Sequence, residues 1–265
     1  MGTHEINALV LGDVIGHPGC RALFVNLKQI IKDHKADVVI VNGENAADGF
    51  GITVDIAEQL FSLGVDIITT GNHVWQKREI LPYMERKNTI LRPANYPPGA
   101  PGNGYTVIDR PSCKVGVVNL QGRDNLATID CPFRTAAEIA RKIKKETDII
   151  IIDFHAESVK EKEGLAYYLD GTVSAVLGTH THVQTADERI LPKGTGFISD
   201  IGMTGPDNSV IGVDPKTAID RSLTQMPLKL EVIDVPAVIN GVSLVIDTAT
   251  GRTTEINRVS VVSAM

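Results

Sequence analysis

Residues 38–45 read VVIVNGEN, a run of four apolar residues followed by an asparagine, a glycine and two further polar side chains. The same pattern recurs along the chain, because short β-branched runs are followed by a polar or glycine-containing cluster and then by a helix-like stretch. The runs cover residues 8–11, 38–41, 67–70, 115–119, 149–154 and 173–177. Runs that are apolar on both faces indicate central strands, covered by helices on each side or stacked on a second sheet.

Helix-like stretches lie between these runs, at residues 20–34, 53–63, 135–146 and 158–169. Thr53 or Asp55 can cap the second of them. Strands that alternate with helices favour right-handed βαβ units, so the sequence predicts an α/β fold. The chain has 265 residues, of which 43% are hydrophobic, and α/β units of ~200–250 residues are common, so we expect one domain over residues 1–265.

The helical pattern fades after about residue 185. Residues 189–203 and 228–262 read as strands and turns of an antiparallel tail, with hairpin turns predicted at Asn240-Gly241 and near Thr250-Gly251. Residues 204–227 contain several prolines and polar turn formers, which predict a long loop with at most one helical turn. The apolar edges of this tail are compatible with a homo-oligomer.

The net charge of the chain limits the kinds of molecule that it is expected to bind. The formal net charge is -6 and the sequence pI is about 5.6, so bulk binding to a nucleic-acid backbone is not expected, whereas a small anionic substrate remains possible if bound cations supply positive charge. Three scattered cysteines, Cys20, Cys113 and Cys131, predict neither a disulfide framework nor a cysteine metal site. The sequence shows no signal-peptide pattern and no long apolar stretch, so we expect no membrane insertion and a cytoplasmic protein.

Metal-capable side chains follow five of the apolar runs. They are Asp13 after the first run, Glu44 and Asn45 after the second, Asn72 and His73 after the third, Asp153 and His155 at the fifth, and His180 and His182 after the sixth. The carboxyl ends of strands form the binding crevice of open α/β sheets, so these clusters are predicted to converge in space. Four of the seven histidines belong to them.

Carboxylate, amide and imidazole groups without thiolate suit hard to borderline divalent metals, and Glu44 can bridge two ions with its two oxygens. Two ions ~3.5–4 Å apart clamp a phosphoryl group and acidify a water between them, which produces a hydroxide placed for in-line attack. The neutral Asn45 and Asn72 repel an incoming phosphate less than further carboxylates would. In an extended segment, His180 and His182 would point to the same side.

Each residue also has a purely structural interpretation. Asp13 can form an Asx-turn or a helix cap, and Glu44 and Asn45 can be turn residues. Asn72 and His73 can cap a helix that begins near Val74. His155 can be a hydrogen-bonded core histidine. One shared site explains the five clusters better than five unrelated structural roles do.

The motifs in these clusters resemble those of the calcineurin-like metallophosphoesterase superfamily and, more narrowly, the bacterial YmdB-like phosphodiesterase family. The matching stretches are LGDVIGHPG at residues 11–19, VNGENAA at 41–47, TGNHVW at 70–75 and FHAE at 154–157, and the similarity runs from about residue 8 to about residue 211. The resemblance implies a four-layer α/β/β/α sandwich. It also implies hydrolysis of phosphodiesters such as 2′,3′- or 3′,5′-cyclic nucleotides, commonly with iron or manganese.

The resemblance assigns roles to individual residues. Asp13, Glu44, Asn45 and His182 would bind one metal, and Glu44, Asn72, His155 and His180 would bind the other, with Glu44 as the bridge. His73 would be the general acid that protonates the leaving oxygen.

Two positions depart from the wider superfamily. Ile15 stands where most members have a histidine ligand, a vacancy that Asn45 fills within the narrower family. Val74 replaces the acidic residue that orients the preceding histidine in many members, so the sequence does not indicate what positions His73.

Two other classes of function fit the same fold. The chain can be a regulatory protein that binds a metal or a nucleotide without catalysis, or a metal-dependent phosphomonoesterase or protein phosphatase. A regulatory protein would be expected to have lost some of the ligands or the general acid, and all of them are present here.

Overall fold

The computed structural model describes residues 5–263 and contains two stacked β-sheets flanked by helices. The strands are β1 (Glu5–Leu11), β2 (Asp13–Val14), β3 (Val38–Asn42), β4 (Ile67–Thr69), β5 (Tyr105–Asp109), β6 (Lys114–Gln121), β7 (Ile150–His155), β8 (Ala175–Thr179), β9 (Arg189–Ile190), β10 (Gly196–Ile198), β11 (Met203–Pro206), β12 (Ala237–Asp247) and β13 (Thr253–Ser263). The α-helices are α1 (Gly16–Asp33), α2 (Val54–Ser62), α3 (Leu81–Arg86), α4 (Pro132–Ile143), α5 (Val159–Tyr168) and α6 (Pro215–Thr224), and a 3-10 helix spans Arg78–Ile80.

The first sheet has seven strands and is mixed. β1, β3 and β4 run parallel and in chain order, with Val10 opposite Ile40 and Ile40 opposite Ile67. The long strand β12 pairs antiparallel with β1 and with β11 on one side, and with β13 on the other. The short strand β2 follows β1 in the chain and pairs parallel with β11. This pairing connects the N-terminal strands to the C-terminal part of the sheet.

The second sheet has six strands in the order β5-β6-β7-β8-β10-β9. β6, β7, β8 and β10 are parallel, and the antiparallel strands β5 and β9 form its edges. In this register His155 at the end of β7 lies opposite Thr179 at the end of β8.

Alternation along the strands divides the apolar side chains among three cores. Leu9 and Leu11 of β1 pack towards α1 and α2, whereas Ala8 and Val10 face the second sheet. A third core lies between the second sheet and helices α4 and α5. The layers are therefore α/β/β/α, which confirms the predicted fold class, and the runs that read as apolar on both faces are the buried central strands.

The hairpin turn predicted at Asn240-Gly241 is wrong. Both residues lie inside β12, where Gly241 pairs with Leu11. A Cβ at Gly241 would collide with the carbonyl of Val10, so the glycine serves a close approach of two strands rather than a turn. The turn predicted near Thr250-Gly251 is confirmed, because the chain reverses there between β12 and β13 and Gly251 has φ 68°.

The prediction of a long loop over 204–227 is also wrong. Residues 204–206 complete β11, and α6 contributes ten helical residues. Asp214 caps this helix by accepting from the Thr217 amide at 2.8 Å, and Pro215 occupies the first turn. Proline is common in the first turn of a helix, directly after the capping residue. Pro215 therefore marks the start of α6, although a proline can also indicate the end of a helix. α1 likewise begins at Gly16, four residues before the predicted start.

No helix among residues 5–263 is long and apolar enough to cross a membrane. The single-domain organisation over residues 1–265 stays a prediction.

Candidate metal centre

The structure brings all eight predicted site residues to one end of the two sheets. Asp13 belongs to β2, Glu44 and Asn45 follow β3, and Asn72 and His73 follow β4. His155 is the last residue of β7, and His180 and His182 come directly after β8. The first five residues come from one sheet and the last three from the other, so the centre lies where the carboxyl ends of both sets of parallel strands meet.

Two carboxylates form the floor of the centre. The side chains of Asp13 and Glu44 have 0% exposure, and neither Asp13 Oδ1 nor Glu44 Oε1 has a hydrogen-bond partner within the described part of the chain. Glu44 Oε1 is, however, within ion-pair distance of two imidazoles, 3.0 Å from His155 Nε2 and 3.1 Å from His73 Nδ1. Buried carboxylate oxygens are costly without partners, so these atoms indicate a place for cations.

His155 and His180 each direct one ring nitrogen to the centre and use the other for support. His155 Nδ1 lies 3.0 Å from the Thr179 hydroxyl, while its Nε2 is 3.1 Å from Asn72 Oδ1 and 3.0 Å from His180 Nδ1. The other nitrogen of His180, Nε2, lies 3.1 Å from Glu157 Oε2. Metal-binding histidines commonly have this arrangement, because the outer partner fixes the tautomer and the ring orientation.

His182 and Asn45 form a second group beside the first. His182 Nδ1 lies 3.0 Å from the carbonyl oxygen of Ile211, and its Nε2 is 3.1 Å from Asn45 Nδ2. The segment is not extended as the sequence suggested, since His180 has φ 101° and His182 has φ 67°. Both imidazoles reach the centre through left-handed backbone, a conformation that non-glycine residues rarely adopt.

A buried ion pair supports that unusual backbone. Asp200 Oδ2 accepts from the Thr181 amide at 3.0 Å and from the Thr181 hydroxyl at 2.8 Å, between the two histidines. The same oxygen lies 2.9 Å from Nζ of Lys162, whose side chain has 1% exposure. Asp200 therefore anchors the His180–His182 turn, and Lys162 balances its charge.

A second polar layer lies one step deeper between the sheets. Asp153 accepts from Thr69, Asn42 and Thr179, at 2.5, 2.9 and 2.7 Å. Thr179 in turn contacts His155, so this layer ties the two sheets together under the centre. Burial raises the pKa of Asp153 to about 6, and the hydroxyl hydrogen bonds oppose that rise.

The ionisable groups of the centre influence one another. Burial raises the pKa of Asp13 above its ordinary value, with His155 and His182 opposing the rise. Burial would also raise the pKa of Glu44, but His155 and His73 hold it well below its usual range. Burial tends to lower the pKa of His155, yet Glu44 and Asp13 raise it to about 9. Burial and the neighbouring His155 lower the pKa of His180 to about 3.

His73 lies at the rim of the centre and is held from three sides. Its amide donates to Glu44 Oε2 at 2.9 Å, and its Nδ1 lies 2.8 Å from Asn45 Oδ1. The ring of Phe50 meets it edge-on, with ring centroids 5.0 Å apart. No hydrogen bond to its Nε2 comes from any of residues 5–263, so this nitrogen is available to a ligand. These contacts identify what positions His73, and the helix suggested near Val74 is absent, since helical residues resume only at Arg78.

The donor set fits divalent metal ions. Glu44, His155 and His180 each offer an atom within 4.8 Å of the others, which is the spacing of ligands around one ion. Carboxylate, amide and imidazole donors with no thiolate suit Mn, Fe or Zn.

The family described as YmdB-like protein matches residues 9–259 of the chain. The chain belongs to the YmdB-like family. A 2′,3′-cyclic-nucleotide 2′-phosphodiesterase of Bacillus subtilis (strain 168) is 44% identical over 251 residues, which cover 95% of each protein.

Two solved structures support the family assignment. The crystal structure of a hypothetical protein from Thermus thermophilus has a TM-score of 0.91 and 37% identity, and the match covers 98% of this chain and 100% of that one. A structure described as a novel phosphatase of Mycoplasma pneumoniae has a TM-score of 0.92 and 35% identity, over 97% of this chain and 94% of that one. Both confirm the predicted fold, and the family match confirms the resemblance to YmdB-like proteins.

The sequence did not indicate some residues that shape the site. Asp200 and Lys162 support the histidines but carry no motif of their own. Phe50 was also missed, although its flanking glycines, Gly49 with φ 87° and Gly51 with φ 75°, mark a loop that presents a side chain.

Gly71→Ala should disable the centre without removing any ligand. A Cβ at Gly71 would overlap the imidazole of His155 and the carboxylate of Glu44. We expect metal affinity or activity to fall by about 10–100-fold, the usual effect of misplacing a metal ligand through its support. Metal content of the purified variant and its hydrolysis rate measure this.

The matched control is Gly164→Ala in α5, where an added Cβ meets its nearest neighbour, Phe133, at 3.4 Å. This variant should keep its metals and gain ~0.5–1 kcal/mol in stability, because alanine favours the helix. Full metal binding by Gly71→Ala would contradict the packing described here.

Asp200→Ala should lower the free energy of unfolding by about 3–5 kcal/mol, because it leaves the Lys162 ammonium buried without a counter-charge. The double variant Asp200→Ala/Lys162→Met should recover part of that loss, although the His180–His182 turn stays unsupported. Urea unfolding measures both.

Glu138→Ala, which breaks the exposed pair with Lys142, serves as the control and should change stability little. A loss in the double variant as large as in the single one would argue against the proposed pairing.

Proposed function

We propose that the chain is a phosphodiesterase that binds two metal ions and hydrolyses small phosphodiesters, including 2′,3′- or 3′,5′-cyclic nucleotides. The observation that supports this most is the convergence of Asp13, Glu44, His155, His180 and His182 at one end of the sheets, with ring nitrogens and unpartnered carboxylate oxygens facing one another. The enzyme class has independent support: relatives named for phosphodiesterase and phosphatase activity confirm the predicted phosphoric diester hydrolase.

The contacts support two neighbouring sites with a shared carboxylate. Asp13, Asn45 and His182 would hold one ion together with Glu44, and Asn45 Nδ2 lies 3.1 Å from His182 Nε2. Asn72, His155 and His180 would hold the second, and His155 Nε2 lies 3.1 Å from Asn72 Oδ1 and 3.0 Å from His180 Nδ1. Ions of iron or manganese bound there would neutralise charge on the phosphoryl oxygens and acidify water for attack on phosphorus.

The protein's own groups shape the charge of the centre. Two carboxylates are the only acidic ligands proposed, and the amides of Asn45 and Asn72 contribute oxygen donors without further negative charge. Bound cations therefore retain net positive charge towards an anionic ester. The burial of Asp13 and Glu44 would strengthen their attraction for the cations, because the charges of these carboxylates are not screened by water.

His73 is placed to act on the leaving group. Its Nδ1 is held by Asn45 and Glu44, and its side chain borders the cavity in front of the centre. A proton on Nε2 can pass to the departing alkoxide oxygen of an ester bound there, which is the role of a general acid.

The direct test compares esters on the metal-loaded protein. We expect hydrolysis of bis(p-nitrophenyl) phosphate and of cyclic nucleotides to exceed that of p-nitrophenyl phosphate, and to be lost on treatment with a chelator. Preference for the monoester would favour a phosphomonoesterase or protein phosphatase. Hydrolysis of neither by protein with a full metal complement would favour the non-catalytic regulatory protein.

His73→Ala should lower the turnover number by roughly 10²–10⁴-fold, the usual contribution of a general acid, while both metals are retained. Steady-state kinetics and metal analysis of the same preparation check both parts. A substrate whose leaving group needs no proton, such as a p-nitrophenyl diester, should lose much less. Loss of metal from His73→Ala would mean that the residue is a ligand and not the acid.

Glu44→Ala should weaken both metal sites together, because one carboxylate is proposed to serve both. Titration of the apoprotein with Mn²⁺ should show two sites in the parent and a loss at both in the variant. Asn72→Ala is the matched comparison, since Asn72 is assigned to one site only and its loss should affect that site alone. If Glu44→Ala lost a single site and left the other at full affinity, the bridging role would be excluded.

A further inference from the structure

A cavity of about 340 Å³ lies in front of the metal centre, and its walls differ in chemistry. One wall carries the polar centre, including Glu44, Asn45, His73 and His182. Another part of the lining, which we call the apolar wall, consists of Phe50, Ile211, Val213, Leu230 and Val232, none of which has a hydrogen-bonding side-chain group. Cavities of ~300–1,000 Å³ accept small ligands, and a two-faced lining predicts a ligand with one polar and one apolar end.

The apolar wall is assembled from two segments that are far apart in sequence. Phe50 comes from the loop after β3, and the other four residues come from the excursion between β11 and β12. The bridge between Val213 and Val232 joins the two arms of this excursion. Glycines allow it to pack closely: a Cβ at Gly212 would crowd Ile15, and a Cβ at Gly49 would crowd Val232, at 2.8 and 3.0 Å.

Phe50 is too exposed to be a residue of the hydrophobic core. Its relative exposure is 47%, and it borders the cavity. Its ring packs against His73, at a centroid distance of 5.0 Å and an interplanar angle of 72°. An edge-on contact leaves ring surface free, so Phe50 offers an aromatic face beside the group that we assign to the leaving oxygen.

The charge of the lining restricts what can bind. Asp48 and Glu157 lie at the cavity, and no lysine or arginine is among its lining residues within the described part of the chain. A second phosphate would therefore meet no cationic side chain from these residues. The cavity is suited to an ester with a single anionic phosphate and an uncharged, planar remainder.

We propose that the apolar wall of Phe50, Ile211, Val213, Leu230 and Val232 forms a nucleobase subsite, which binds the base of a nucleoside cyclic phosphate by stacking and apolar contact. The inference rests on the proposed function, because it assigns the remainder of the substrate that the metal centre would cleave. Aromatic side chains bind bases in this way without reading their identity, since every base has a π-face.

The subsite has two consequences for substrate choice. All four bases should be accepted with similar KM, because the apolar wall has no side chain that can distinguish hydrogen-bonding edges. A cyclic phosphodiester without a base should bind more weakly, since stacking contributes the equivalent of about 5- to 150-fold in affinity at ~1–3 kcal/mol per base.

The experiment uses two probes on the metal-loaded full chain: nucleoside 2′,3′-cyclic phosphates of the four bases, and glycerol 1,2-cyclic phosphate, which carries the ester without a base. In the parent protein, KM should be about 5- to 150-fold lower for the nucleotides. Phe50→Ala should raise KM for the nucleotides by a similar factor and should affect the base-free probe much less. Phe50→Trp should keep the nucleotide KM near that of the parent, because tryptophan retains an aromatic face.

Two further variants separate the subsite from other effects. Leu230→Ala removes apolar surface from the apolar wall and leaves the Phe50–His73 contact in place. It should raise the nucleotide KM several-fold with little change in kcat. Phe24→Ala on α1 is the matched control, because Phe24 is an exposed phenylalanine that does not line this cavity.

The outcomes are distinct. Equal KM for the two probes in the parent would overturn the subsite while leaving the phosphodiesterase intact. An equal loss of kcat on both probes in Phe50→Ala would mean that Phe50 acts only through His73, which also overturns it. If the parent hydrolysed neither probe, the proposed function would fail and the subsite with it.

Discussion

The constraint on which the site depends is the burial of two carboxylates, Asp13 and Glu44, at the point where two stacked sheets open. Each is fully removed from solvent and each has an oxygen without a hydrogen-bond donor among the described residues. A buried anion is tolerated only when it is paired, neutralised by a proton or bound to a cation. Four imidazoles and two amides lie around these carboxylates, so the fold supplies a cage whose charge would be balanced by bound cations.

The stacking of the sheets makes that cage possible. The proposed ligands come from both sheets, so their separation is fixed by the packing of the core between β1, β3, β7 and β8 rather than by a single loop. The layer around Asp153 connects Thr69 and Asn42 of one sheet with Thr179 of the other, directly below His155. The Asp200–Lys162 pair fixes the His180–His182 turn in a similar way. Rigid support of this kind holds ligands in place before any ion arrives.

The sequence was informative where a local rule governs the structure and uninformative where distant segments decide it. Apolar runs ending in polar clusters marked the strand ends, and therefore the eight residues that converge. The Asn240-Gly241 turn was wrong because the same dipeptide serves close strand packing, and α6 was missed because Asp214-Pro215 reads equally as a breaker and a helix start. Phe50 shares its wall with residues far along the chain, such as Leu230, and Asp200 acts through partners on α5 and in the turn after β8. No local pattern reveals such a pairing.

The charge distribution links the fold to the choice of substrate. The chain carries a net charge of -6, and acidic side chains, but no lysine or arginine among the described residues, line the cavity in front of the centre. The protein surface therefore does little to attract an anion, and attraction must come from the cations that Asp13 and Glu44 would hold. The positive charge would then be confined to the cations. It would favour one phosphate next to them and would not attract further anionic groups elsewhere in the cavity. Affinity for the rest of the molecule would then come from apolar contact, which Phe50 and the other residues of the apolar wall can provide. In the proposed recognition, charge selects the ester and the apolar wall binds what is attached to it.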